Sequence, residues 1–197
     1  MTSSARLDRQ LDFIAELDKL KHVLRMTSII GESRRENSAE HSWHLGVMAP
    51  LLAEYAPENV DAGRVTMMLL IHDVVEIDAG DTFCFDEAAH ADKEEREQRA
   101  ALRLFGLLPT DQGEELRRLW EEFETGETRD ARFAVALDRF HGLFQNYHNE
   151  GGTWRIHNIS REKILQRMAP IEEGAPALWP VVLRVLADVG YPEGDPG

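Results

Sequence analysis

The stretch Ile71-His72-Asp73-Val74-Val75-Glu76-Ile77-Asp78-Ala79-Gly80-Asp81 closes an apolar run with a histidine, four acids and a glycine. Core formation does not account for that ending, because carboxylates and imidazoles are costly to desolvate unless something compensates their charge. His72, Asp73 and Glu76 fall within about one helical turn, and Gly80 frees the backbone to bring Asp81 back toward them. Such a group at the end of a buried helix points to a divalent cation. Upstream, Val65, Met67, Met68, Leu69, Leu70 and Ile71 leave hardly a polar face, so residues 59–76 are predicted to form one central buried helix.

Outward from that helix, the apolar spacing is helical nearly everywhere. Leu7, Leu11, Ile14, Leu17, Leu20 and Leu24 predict a helix over residues 7–25, with Arg25 as a favourable charge at its C-terminal end. Residues 26–36 read as a loop. Asn37 and Glu40 have the spacing of a capping box, opening a helix over residues 39–55 that Pro50 should kink. Further helices are predicted over residues 92–105, 111–123 and 129–148, the last carrying the packing stripe Phe133, Leu137, Phe140, Phe144 and Tyr147 with Asp138 at its edge. Two more run from 160 to 168 and from 175 to 189, followed by a tail expected to fray. No segment alternates long enough to predict a strand, so the expected class is all-α.

At 197 residues and 43% hydrophobic content, the chain fits one domain spanning 1–197, with a site-bearing core over about 10–150 and C-terminal helices at 160–190 packed on it. Acidic residues outnumber basic ones by 36 to 22, a net charge of −14, which disfavours nucleic acid polymers and anionic membranes as partners. An anionic substrate would therefore need local cations to overcome that field. Cys84 is the single cysteine, no signal peptide or apolar run long enough to span a bilayer is present, and a soluble cytoplasmic protein is expected.

The residues able to complete a metal site with His72 and Asp73 are His41 and Asp138, each in a predicted helix. Two imidazoles and two carboxylates suit Mn, Fe, Co or Zn better than Ca and leave positions for water and substrate, as in a catalytic site. His44 shares the face of His41 and reads as a residue supporting it or serving an interface. His90 and His141 are the positions a second metal would call on, the less favoured reading. The run Lys93-Glu94-Glu95-Arg96 reads as a solvated helix face.

The order Ala39-Glu40-His41, His72-Asp73, Asp138 resembles the H…HD…D signature of the HD-domain metal-dependent phosphohydrolases. Glu76 and Asp81, with Arg25, Glu36-Asn37 and Lys93-Glu94-Glu95-Arg96, are similar to its 5′-deoxynucleotidase-like branch, over roughly residues 10–150. The resemblance implies a single HD domain, an orthogonal helical bundle in which His41, His72, Asp73 and Asp138 hold a divalent metal (Mn, Co, Fe or Zn, with Mg also possible). It further implies hydrolysis of nucleoside 5′-monophosphates, with Glu76 and Asp81 orienting water or moving protons and Arg25 binding the phosphate through its planar fork. Arg34 or Arg35 would add charge from the loop. Met26 stands where some members carry Trp beside the sugar, and a flexible thioether builds no rigid wall against a ribose. Relatives are commonly homodimers, for which Leu178, Trp179, Val181, Val182 and Val185 offer an apolar surface. The alternatives are another phosphate ester, such as a cyclic nucleotide or an alarmone, or a non-catalytic nucleotide sensor, against which Glu76 and Asp81 argue.

Overall fold

A computed structural model describes residues 3–86 and 88–191. In chain order its elements are α1 (Ser3–Leu17), β1 (Leu24–Ser28), β2 (Arg35–Asn37), α2 (Ser38–Leu52), α3 (Ala62–Ile71), α4 (Glu76–Ala79), α5 (Lys93–Phe105), α6 (Thr110–Thr125), α7 (Arg129–His148), α8 (Gly152–Ile156), α9 (Arg161–Gly174) and α10 (Trp179–Asp188). The class is all-α, as expected. The tail over residues 192–197 lies outside the described residues.

The expected first helix divides. α1 stops at Leu17 and a 3-10 turn, Asp18–His22, follows. Lys19 pairs with Glu16 and Lys21 with Asp18, the three-residue spacing that a 3-10 turn eclipses. The chain then extends as β1, which pairs antiparallel with β2 through Leu24 opposite Asn37 and Ser28 opposite Arg35. Gly31, at φ 79°, lies in the connection. Arg25 therefore sits on a strand rather than at a helix end. The hairpin escapes sequence reading because both strands are short and neither alternates.

At the end of the hairpin, Asn37 forms the expected capping box: its side chain accepts from Glu40 N–H at 2.9 Å, and the Glu40 carboxylate accepts from Asn37 N–H at 3.1 Å. Pro50 falls in the last turn of α2, which gives way to a 3-10 turn at Ala53–Tyr55. The central helix is capped by Asp61, whose carboxylate accepts from Gly63 and Arg64 N–H. Val65, Met68 and Leu69 are fully buried, whereas Met67 and Leu70 face outward. Residues 59–76 are thus not one helix buried on all sides. α3 ends at Ile71, His72–Val75 tighten into a 3-10 turn, and α4 restarts at Glu76.

α7 runs through the core, burying Phe133, Leu137 and Leu143, and buries Asp138 among them; Phe144 is on its outer side. α9 crosses α7 so closely at Gly174 that a Cβ there would lie 2.1 Å from the Arg132 carbonyl oxygen, so glycine is required for the approach. Leu178, Val182, Val185 and Leu186 are spent on this same core. The apolar C-terminal segment is therefore largely interior, contrary to its reading as an interface. Among the described residues, no helix is long and apolar enough to cross a membrane.

Candidate active site

The four expected ligands come from three places: the first turns of α2 (His41), the 3-10 turn after α3 (His72 and Asp73) and the middle of α7 (Asp138). A 3-10 turn advances about 120° per residue, so His72 and Asp73 leave the backbone in different directions, yet their side-chain ends come together where the other two reach them. His41 Nε2 is 3.0 Å from Asp138 Oδ1 and 3.8 Å from Asp73 Oδ2. His72 Nε2 is 3.0 Å from Asp73 Oδ1 and 4.0 Å from Asp138 Oδ1. All four residues are buried.

The imidazole orientations follow from their outer partners. His72 Nδ1 is 2.9 Å from the Leu69 carbonyl, which only accepts, so Nδ1 carries a proton and Nε2 faces the carboxylates. His41 Nδ1 lies 3.0 Å from His141 Nδ1, and His141 Nε2 lies 3.0 Å from His44 Nδ1. When His41 presents an unprotonated Nε2, its Nδ1–H donates to His141 and the His141 Nε2–H donates to His44. The Glu36 carboxylate stands 3.7 Å from both His41 and His141. His44 thus contacts His141 rather than the four-residue cluster.

This donor set fits a divalent cation. Ligand atoms of His41, His72 and Asp73 all lie within 4.8 Å of one another, near the span set by metal bonds of about 2.0–2.2 Å. Burial pushes the His72 pKa down, but the Asp73 and Asp138 carboxylates outweigh it and raise it to about 9. The cluster attracts a proton there for the reason it would attract a metal. Burial, then Arg25, lowers the His41 pKa to about 4. Burial alone would raise Asp73 and Asp138, yet His72 and Arg25 hold the first below the carboxylate range, and Arg139 and His41 the second.

Arg25 closes one side: its Nη1 donates to Asp73 Oδ2 at 2.9 Å and its Nε lies 3.5 Å from Glu36 Oε2. Glu76, buried on α4, accepts from Ser38 Oγ at 2.6 Å, and burial followed by repulsion from Asp73 raises its proton affinity well above normal. Gly80, at φ 74° and ψ 153°, turns the chain so that Asp81 faces the same space. Burial raises the Asp81 pKa against the opposing pull of Arg25. Arg25, Met26, His72, Asp73, Glu76, Asp81 and Asp138 all line one cavity of about 250 Å³, with His41 enclosed behind it.

Arg34 and Arg35 are not brought to this cavity. Arg34 is held at the surface by Glu40, 2.8 Å away, the same acid that closes the capping box. Arg35 donates to the carbonyl oxygens of Arg25 and Leu24 and braces the hairpin. Nor is the charged run of α5 merely a solvated face: Lys93 lines the cavity, and Arg96 donates to the Ala79 and Ala89 carbonyls and Thr82 Oγ1, tying down the loop after Asp81. Arg139, which donates to Asp138 Oδ2, and Arg167 of α9 also line the cavity without having been singled out in the sequence. Adjacency to Asp138 was a signal for Arg139; for Arg167 there was none.

A family model for the HD domain matches residues 17–179. The chain is 32% identical over 146 residues to the 5′-deoxynucleotidase HDDC2 of Bos taurus, a span of 73% of this chain and 70% of that protein. It is 30% identical over 136 residues to the Homo sapiens protein of the same name, covering 68% of this chain and 65% of that one. A crystal structure described as a predicted metal-dependent phosphohydrolase from Magnetospirillum magnetotacticum MS-1 aligns with a TM-score of 0.93 and 53% identity over 98% of both chains. The family match extends through α9, beyond the segment that carries the His, His-Asp and Asp motifs, and the chain belongs to the HD domain family.

Proposed function

We propose that the protein is a cytoplasmic metal-dependent phosphomonoesterase that hydrolyses nucleoside 5′-monophosphates, deoxyribo and ribo, to nucleoside and phosphate. The observation that carries this reading is one cavity wall holding His72, Asp73 and Asp138 together with two carboxyl groups of raised proton affinity, Glu76 and Asp81. The names of the relatives agree with it. His41, His72, Asp73 and Asp138 would hold Mn, Co, Fe or Zn, supplying Lewis-acid polarisation of phosphate and water. Arg25 keeps the Asp73 carboxylate oriented and brings positive charge to the phosphate side of the cavity. Glu76, fixed by Ser38 Oγ, orients the attacking water and takes up its proton at the carboxylate. Asp81 gives a proton to the departing 5′ oxygen. Glu76 and Asp81 argue for turnover rather than ligand sensing, since binding alone has no use for proton-transfer groups.

The test is phosphate release from a panel of ribo- and deoxyribonucleoside 5′-monophosphates after chelation and re-addition of Mn, Co, Fe, Zn and Mg in turn. Chelation should abolish release and at least one transition metal should restore it. Absence of release with every metal and substrate would favour a nucleotide sensor, and release confined to cyclic nucleotides or alarmones would move the substrate class. With Met26 in the cavity wall, ribo and deoxy substrates should differ little in kcat/KM.

The same reading makes the protein a homodimer. Trp43, Val47 and Leu51 recur along one exposed face of α2 and give it an apolar surface to bury. Sedimentation velocity should find the mass of two chains, and a single-chain mass at micromolar concentration would reject this.

A further inference from the structure

Four arginine and lysine side chains line the cavity among the described residues: Arg25, Lys93, Arg139 and Arg167. Three are matched by acids of the chain. Arg25 meets Asp73 and Glu36, Lys93 lies 2.6 Å from Glu97, and Arg139 donates to Asp138. Arg167 is different, for among the described residues it has neither an ion pair nor a hydrogen bond. Its surroundings make that costly. Burial and then the neighbouring Arg139 guanidinium lower its pKa to about 10. In a chain with 36 acids and a net charge of −14, a half-buried guanidinium beside a second one and without a carboxylate is not a by-product of composition.

Among the described residues, three further donor atoms of cavity-lining side chains, Arg25 Nε, Arg139 Nε and Thr27 Oγ1, are buried without a hydrogen bond. The helix that carries Arg167 packs tightly on the one that carries Asp138, α9 meeting α7 where Gly174 lies against the Arg132 carbonyl. Donors of this kind match an anion with several acceptor oxygens. We propose that Arg167 is a phosphate-binding residue, its planar guanidinium taking the phosphoryl oxygens of the substrate on the side of the cavity next to Arg139. Arg25, whose Nη1 is taken by Asp73, adds its charge from the Asp73 side of the cavity, and Arg167 adds a second guanidinium from α9. This rests on the phosphomonoesterase reading for its substrate, but anion binding at Arg167 is testable without it.

The experiment compares the metal-loaded chain with its Arg167→Ala and Arg167→Lys variants, after matching metal content and thermal midpoint. Inorganic phosphate is titrated by calorimetry, and nucleoside 5′-monophosphate hydrolysis is measured with the nucleoside product as a competitor. Loss of a charge-assisted hydrogen bond predicts a rise of about ten- to hundredfold in the phosphate Kd and in KM for Arg167→Ala. The change in kcat should be small, and the Ki of the uncharged nucleoside should not move. Arg167→Lys should recover part of the affinity, having the charge without the fork. Unchanged phosphate Kd in Arg167→Ala, no phosphate binding by the wild-type chain, or equal weakening of phosphate and nucleoside overturns the assignment. If Arg167→Ala does not fold, Arg167→Lys decides: a phosphate Kd equal to wild type overturns the specific role of the fork. If the wild-type chain binds phosphate through Arg167 but releases none from any monophosphate, the activity reading fails and the anion site stands.

Discussion

Asp138→Ala is expected to lose bound metal and phosphate release together. Asp138 Oδ1 lies 3.0 Å from His41 Nε2 and 4.0 Å from His72 Nε2, so it is the carboxylate that joins the α2 and α3 sides of the cluster through α7. Metal catalysis contributes several kcal/mol, and each 1.36 kcal/mol is tenfold in rate, so kcat/KM should fall by about 10³ or more. The variant also strands the Arg139 guanidinium, whose Nη1 donates to Asp138 Oδ2, and breaking a buried pair from one side costs roughly 3–5 kcal/mol. Asp138→Asn separates the effects, because it keeps an oxygen near His41 while removing the charge. Metal analysis, thermal melting and steady-state rates on both variants decide the matter. Wild-type metal stoichiometry and affinity in a folded Asp138→Ala chain would mean that the ligand set is different.

For Asp81→Ala the expectation is the opposite division: metal content as in the wild type, with kcat down by about 10²–10⁴, the usual contribution of a positioned acid or base. Asp81 has no contact with His41 or His72 short enough to count as a hydrogen bond or ion pair, and it reaches the cavity from the loop after α4. Its role as acid gives a sign to the pH dependence. Burial raises its pKa, and an acid must be protonated to act, so the wild-type rate should fall as pH rises through that pKa and Asp81→Ala should flatten this limb. A second readout is the leaving group. An aryl phosphate, whose departing oxygen needs no proton, should lose much less than a nucleoside 5′-monophosphate. Equal loss on both substrates would assign Asp81 to the attacking water, and an unaffected rate on both would remove it from catalysis.

What was legible in the sequence was whatever depends on neighbours along the chain. Apolar spacing marks α5, α6 and α7 closely, the Asn37 and Glu40 pair marks the start of α2, and Gly80 marks the turn that presents Asp81. Residue chemistry also carries far: two imidazoles and two carboxylates in an apolar setting point to a cation site before any coordinates, because buried charge demands compensation. The ordered motif then narrowed that site to a family that the match over residues 17–179 bears out.

Contacts that close over long separations were decided only by the tertiary structure. Arg25 donates to Asp73 across 48 residues and His41 meets Asp138 across 97, and neither pairing has any local periodicity. The β1–β2 hairpin forms on strands too short to alternate, and it moves Arg25 into the cavity while Arg34 and Arg35 stay outside. The 3-10 turn at His72–Val75 sets the directions from which His72 and Asp73 reach one another, and no local periodicity announces it. Arg96 and, on α10, Val182, Val185 and Leu186 turn inward because of what packs against them, not because of their own neighbours. From the quoted stretch at residues 71–81, the sequence pointed to a divalent cation and to the residue types suited to holding one. The crossing of α9 on α7 decided that an arginine distant from every motif faces the same cavity, since side-chain convergence is set by packing between elements and not by spacing within one.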